Sequence, residues 1–167
     1  APTSKSVRFK WREHVTKTVS ENGEALEKFC NALKDGNSEV VEQSLNNYLK
    51  RTISIRDTLV KKQMKENFYH GILLGILGFQ QNWSVSSNKE SGDGYSDILI
   101  ETEDQETGII IEIKYAETGN LEAVSEEALK QIEDRRYEEQ LLEEGVEHIL
   151  KYGIAFYKKK CKVMAVK

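Results

Sequence analysis

Two carboxylates and a lysine stand where neighbouring strands would bring them into one space. In Ile109-Ile110-Ile111-Glu112-Ile113-Lys114, strand alternation puts Ile109, Ile111 and Ile113 on one face and Ile110, Glu112 and Lys114 on the other. Taken in isolation, E-I-K reads first as an amphipathic strand with a solvated Glu/Lys pair. Asp97 changes that reading. It lies in the preceding predicted strand, and the short polar hairpin 103–108 would pair the two strands antiparallel and set Asp97 beside Glu112. Like charges at that separation repel, and such a pair usually persists because a cation sits between them. Carboxylate oxygens suit Mg²⁺ or Mn²⁺, which keep some waters in their shell. A bound metal acidifies one of those waters and neutralises charge on a phosphate. A lysine alongside orients or deprotonates the water and steadies the transition state. Two carboxylates and one lysine are a minimal set for hydrolysing a phosphodiester.

Other side chains fall near this group. Glu66 lies on the helix before the sheet, one turn ahead of His70. Gln131 lies on the helix after it, with Tyr137 further along. His70, inside an apolar helix, reads as a packed residue rather than a ligand, and His14 and His148 have no visible partners. Glu90 and Asp93 could touch a metal, although turn chemistry accounts for them. Trp11 and Trp83 read as core or docking aromatics.

These residues need a sheet with a helix on either side of it. The first half of the chain is helical in pattern: one helix from Thr3 or Ser4 to about Val19, and one from Asn22 to Lys34 with Ala25, Leu26, Phe29 and Leu33 inward, closed by Gly36. A third is capped by Ser38 and has Val41, Leu45, Tyr48 and Leu49 on its apolar side. After a loop at Thr52–Thr58, a helix from about Val60 to Gly78 carries Met64, Phe68, Ile72 and Ile76 at four-residue spacing. Gly71, Gly75 and Gly78 cost that helix propensity, which suggests close approach of its backbone to a neighbour. The period then changes to two. Strands are predicted at Trp83–Ser87, Tyr95–Glu101 and Ile109–Tyr115, with a turn at Asn88–Gly94. One long helix follows from Leu121 to Glu144, with Leu121, Val124, Ala128 and Ile132 inward and Gly145 as its stop. Strands at Tyr152–Tyr157 and Cys161–Val166 close the order α-β-β-β-α-β-β. The fold class is α/β, with residues 1–57 a helical annex or linker region and 58–167 the sheet-containing domain.

The bulk properties agree with a globular body. Of 167 residues, 38% are hydrophobic and 31% charged, and one is proline, which excludes proline-rich linkers. The apolar run Phe68–Phe79 is too short to span a bilayer. Cys30 and Cys161 form no CxxC pair, so a disulfide framework and a zinc knuckle are not expected, and the cytoplasm is the natural compartment. The start at Ala1-Pro2-Thr3-Ser4 suggests a piece of a longer protein, although methionine removal before alanine gives the same start. The net charge of −4 does not advertise a nucleic-acid binder, but the charge is unevenly spread. Residues 101–150 hold 16 acids and 4 bases, and residues 151–167 hold 6 lysines and no acid. The lysines fit a phosphate-facing patch or a guarded edge strand. The acids of Glu138–Glu147 read as a solvated helix face that would repel DNA, so any nucleic-acid track should run by Lys114 and Lys158–Lys162.

The core resembles the PD-(D/E)xK nuclease superfamily, whose fold is an αβββαβ unit. Four segments resemble one bacterial family more narrowly: K-E-N-F-Y-H-G-I-L-L-G at 65–75, S-N-K-E-S-G-D-G-Y-S-D-I at 87–98, I-I-I-E-I-K at 109–114 and A-L-K-Q-I at 128–132. That family comprises nuclease-like domains found C-terminal to an AAA-type ATPase-like domain. The resemblance runs from about Val60 to the C-terminus. It implies a metal-dependent nuclease with Mg or Mn as cofactor, nucleic acid (DNA foremost) as substrate and an upstream ATPase-like domain as partner. It further implies that Asp97 and Glu112 are the metal-binding acids, Lys114 the motif lysine, Glu66 the first-helix acid that completes the metal site, and Gln131 the glutamine of the following helix. The sequence departs from the pattern in two places: Ser96 takes the motif's proline position, and 94–96 lacks the arginine expected near Tyr95. Two non-catalytic readings stay open beside the enzyme. One is a silent nuclease fold used for binding or regulation, and the other a partner-binding domain without metal.

Overall fold

The structure is a computed structural model and describes residues 23–52, 62–90, 94–135 and 137–167. The expected helix at Thr3–Val19, Trp11, His14, Asp93 and most of the 52–58 loop lie outside the described residues.

Helix α1 (23–35) ends where Gly36 turns to a φ of 75°. The Asn37 N–H reaches back to the Ala32 carbonyl at 2.9 Å and the Gly36 N–H to Leu33 at 3.4 Å. This paired termination requires a left-handed residue, and glycine supplies it without a Cβ penalty. Asn37 then starts α2 (Ser38–Thr52), its Oδ1 accepting from the Val40 N–H at 3.3 Å. The cap is therefore Asn37, not the expected Ser38. α2 buries Val41, Leu45 and Leu49 as its spacing predicts, while Tyr48 stays exposed.

Helix α3 (Lys62–Leu77) turns a different stripe inward from the one expected. Tyr69, His70, Leu73 and Leu77 are buried, and Met64 and Phe68 are exposed. The reason is aromatic packing against the sheet. The Tyr69 ring stacks on Phe156 at 4.5 Å and on Tyr115 at 6.0 Å, and its hydroxyl donates to the Lys158 carbonyl at 2.5 Å. A Cβ added at Gly71 or Gly75 would meet nothing within 4 Å, so these glycines do not serve close packing here.

Five strands form one sheet in the order β1-β2-β3-β4-β5: β1 Ser84–Glu90, β2 Gly94–Glu101, β3 Thr107–Tyr115, β4 His148–Tyr157 and β5 Lys160–Val166. Every neighbouring pair is antiparallel except β3 and β4, which run parallel. Parallel neighbours need a long crossover. Helices α4 (Leu121–Asp134) and α5 (Tyr137–Glu143) provide it. The single long helix expected over 121–144 is thus two. α4 begins with the Asn120 side chain accepting from the Ala123 N–H and stops at Arg135, whose N–H returns to Ile132.

Both faces of the sheet are covered by helices, which is why central β3 is buried along its length apart from Lys114. Ile98, Ile109, Ile111, Ile113, Tyr152, Ile154 and Phe156 face α1, α2 and α3 in the main core. Ile110, with Leu99 and Ile149 beside it, faces α4 and α5 in a smaller one built on Ile132, Leu141 and Val146. Strand β5 is an edge, and α2 covers it: Asn46 Oδ1 accepts from the Cys161 N–H at 2.8 Å and Glu42 Oε1 from the Val163 N–H at 2.9 Å. Burial pushes the Cys30 thiol up to about 11 and the Cys161 thiol up to about 12, so both are inert.

Candidate active site at the end of the central strands

Strand register brings the predicted pair together. Asp97 on β2 stands directly opposite Glu112 on β3. Opposed side chains on one face of an antiparallel pair have Cβ atoms about 5 Å apart. Both residues are buried, Asp97 at 0% exposure and Glu112 at 1%. Among the described residues, neither carboxylate oxygen of Glu112 has a hydrogen-bond partner. A buried acceptor left unmatched costs about 1–3 kcal/mol, and more when charged. Something must offset that cost.

Lys114 follows Glu112 on the same face. It keeps 21% of its side chain exposed, with Nζ 3.7 Å from Glu127 Oε1 on α4. Gln131 is half-buried, one helical turn beyond Glu127 and one before Arg135. Arg135 Nη1 donates to Asp97 Oδ2 at 3.0 Å. One side of α4 thus lies along the Asp97–Glu112–Lys114 face.

α4 can lie this low because of Gly153. That residue is the β4 partner of Glu112, and its carbonyl accepts from Ser125 Oγ at 2.9 Å. A Cβ on Gly153 would stand 2.3 Å from the Ser125 carbonyl oxygen and 2.9 Å from the Leu129 nitrogen. Backbone atoms cannot yield as a flexible side chain can, so glycine sets the height of the helix over the carboxylates.

Glu66 reaches the site's rim from the other side. It shares the inward side of α3 with Tyr69, His70, Leu73 and Leu77, and its Oε1 accepts from the Tyr115 N–H at 3.2 Å, just past Lys114. The structure does not gather it with Asp97 and Glu112: no group of three or more His, Cys, Asp or Glu able to hold a metal occurs among the described residues. His70 is buried, and burial lowers its imidazole below the usual histidine value, opposed by a hydrogen bond to the Asp97 backbone. It buttresses β2 as a neutral ring, in line with its reading as a packed residue. Tyr137 packs against the smaller core, and Trp83 is buried with Nε1 donating to Glu103 at 2.5 Å. Glu90 ends β1, and exposed His148 begins β4.

Sequence reading missed Arg135 and Gly153. Arg135 follows Gln131 by four residues, a spacing that would have placed it on the same helix side. Gly153 interrupts an otherwise apolar strand, the usual sign of close backbone approach.

The same end of the sheet carries a basic and aromatic rim. The C-terminal ends of β3 and β4 and the N-terminal end of β2 coincide there. Lys65 Nζ lies 4.6 Å from the Tyr115 ring centre and Lys158 Nζ 5.1 Å from that of Tyr157. No helix among the described residues is long and apolar enough to cross a membrane.

Oxygen-only donors, buried and opposed, fit a hard divalent cation. Comparison with known proteins points the same way. No curated protein and no solved structure matches the chain. The family model of the PD-(D/E)XK nuclease superfamily matches residues 64–166, from the start of α3 to the last residue of β5. Nucleases of this superfamily typically use divalent metal ions. With the match spanning more than half of its length, the chain belongs to the PD-(D/E)XK nuclease superfamily.

Proposed function

We propose that this chain is a nuclease hydrolysing phosphodiester bonds of nucleic acid, DNA foremost, with Mg²⁺ or Mn²⁺ held by Asp97 and Glu112. The observation that carries the reading is Glu112: both its oxygens are buried without a hydrogen-bond partner, opposite a second buried carboxylate. A cation supplies what those oxygens lack. When bound, it would acidify a water and neutralise phosphate charge. Lys114, kept partly exposed, would orient the attacking water or take its proton. Gln131, one helical turn beyond Glu127 on α4, would position the substrate. Glu66 would join the cation through a water, since these ions keep part of their hydration shell.

The rim of Lys65, Lys114 and Lys158 beside the Tyr115 and Tyr157 rings supports a track for the phosphate backbone away from the acidic helix face. An upstream ATPase-like domain is the partner that the narrower family resemblance implies, and the reducing cytoplasm suits two buried, unpaired thiols.

A second reading is favoured by one specific contact. Arg135 already holds Asp97, as it would in a fold that has given up its cation and serves as a binding domain. Cleavage of single- and double-stranded DNA and RNA with Mg²⁺ or Mn²⁺ decides between them. The nuclease reading expects cation-dependent cleavage that drops about a hundredfold or more in Lys114→Ala and vanishes in Asp97→Ala. Cleavage that ignores both substitutions, or a chain that binds no cation, sinks it.

A further inference from the structure

Arg135 occupies a place that neither the motif nor the family match assigns. It stands where α4 stops, and its guanidinium reaches Asp97. The ion pair it makes with Asp97 is lopsided. Asp97 is fully buried, while 23% of the arginine side chain is open to solvent. This ion pair can therefore be approached from outside through the arginine.

Arg135 engages Asp97 Oδ2, an oxygen that a divalent ion held by Asp97 and Glu112 would also draw on. The guanidinium is a planar fork that fits a phosphate as well as it fits a carboxylate. A phosphodiester approaching the cation site would offer Arg135 a second anion within reach.

We propose that Arg135 is a resident counter-ion that competes with the divalent cation for Asp97, so that cation loading is coupled to binding of a phosphodiester able to draw the guanidinium away. The inference rests on the cation-site reading of Asp97 and Glu112. Coupling of this kind is a reciprocal free energy: whatever removes the arginine from Asp97 tightens the cation, and the cation in turn favours the phosphodiester.

The test is Mg²⁺ and Mn²⁺ titration by calorimetry of the wild type, Arg135→Gln and Asp97→Asn, each with and without a phosphorothioate oligonucleotide that resists cleavage. Without the oligonucleotide, Arg135→Gln binds the cation about tenfold more tightly than the wild type. The oligonucleotide tightens the cation strongly in the wild type and much less in Arg135→Gln. Thermal melting in chelator gives a second readout, with Arg135→Gln melting below the wild type and regaining the difference when cation is added. A merely structural arginine would lower the melting point without tightening the cation. Equal or weaker cation binding by Arg135→Gln, or an equal gain from the oligonucleotide in both proteins, overturns the proposal and leaves the cation site standing. Cation binding by none of the proteins, or binding undiminished in Asp97→Asn, overturns the cation-site reading and this inference with it.

Discussion

The two faces of the sheet are built on opposite principles. Under α1, α2 and α3 the interface is apolar and aromatic. Leu33, Leu45, Leu73 and Leu77 interlock with Ile109, Ile111, Ile113 and Ile154, and buried hydroxyls find carbonyls, as Tyr152 does at Leu33 with a 2.6 Å bond. Under α4 and α5 the same strand shows Ile110 and then Glu112, with Asp97 beside it and Glu112's oxygens unmatched. One face lowers the free energy of folding, and the other gives some of that back. Folds place strained or unsatisfied groups where they do chemistry, and stability elsewhere makes this tolerable.

Three substitutions probe that contrast. On the apolar face, Leu73→Ala removes a fully buried side chain and should cost about 3–4 kcal/mol in urea unfolding. Its cation affinity should stay unchanged; a coupled loss would mean the two faces are not separable. On the polar face, Gly153→Ala forces α4 away from the sheet at a cost of about 2–3 kcal/mol. It should also tighten cation binding, because the lifted helix carries Arg135 away from Asp97. Unchanged cation affinity in a destabilised Gly153→Ala would show that helix height does not matter to the site. Glu112→Gln should have the smallest effect and the opposite sign. Replacing an unmatched buried carboxylate with a neutral amide should raise stability by about 1–2 kcal/mol in chelator. Added cation should erase that advantage, since it stabilises the wild type alone. A less stable Glu112→Gln in chelator would mean the carboxylate is already well solvated.

Much of this arrangement was legible beforehand, and the exceptions share a cause. Alternation in Ile109–Lys114 separates the two faces, and the polar hairpin places Asp97 opposite Glu112, as the register shows. These are local rules that tertiary contacts rarely override. The inward side of α3 was misread because Met64, Phe68, Ile72 and Ile76 and the Tyr69–Leu73–Leu77 set are both periodic. The choice was made by Phe156, nearly ninety positions away. The break at Arg135 had no proline or glycine to announce it. Its reach to Asp97 depends on how two helices pass over a sheet, which periodicity does not record. Asn37 was overlooked beside Ser38 because both are good capping residues one position apart.

The cover that α2 places over β5 bears on how the protein can be handled. Asn46 and Glu42 occupy the backbone groups that another strand would otherwise seek. The family match begins at residue 64, past both of them. A piece cut to that boundary would keep the carboxylates and the lysine but bare a strand of Cys161, Val163 and Ala165 to its neighbours in solution. Its molecules would be prone to join edge to edge, so an inactive, aggregating fragment of this kind would say nothing about the chemistry of the intact sheet.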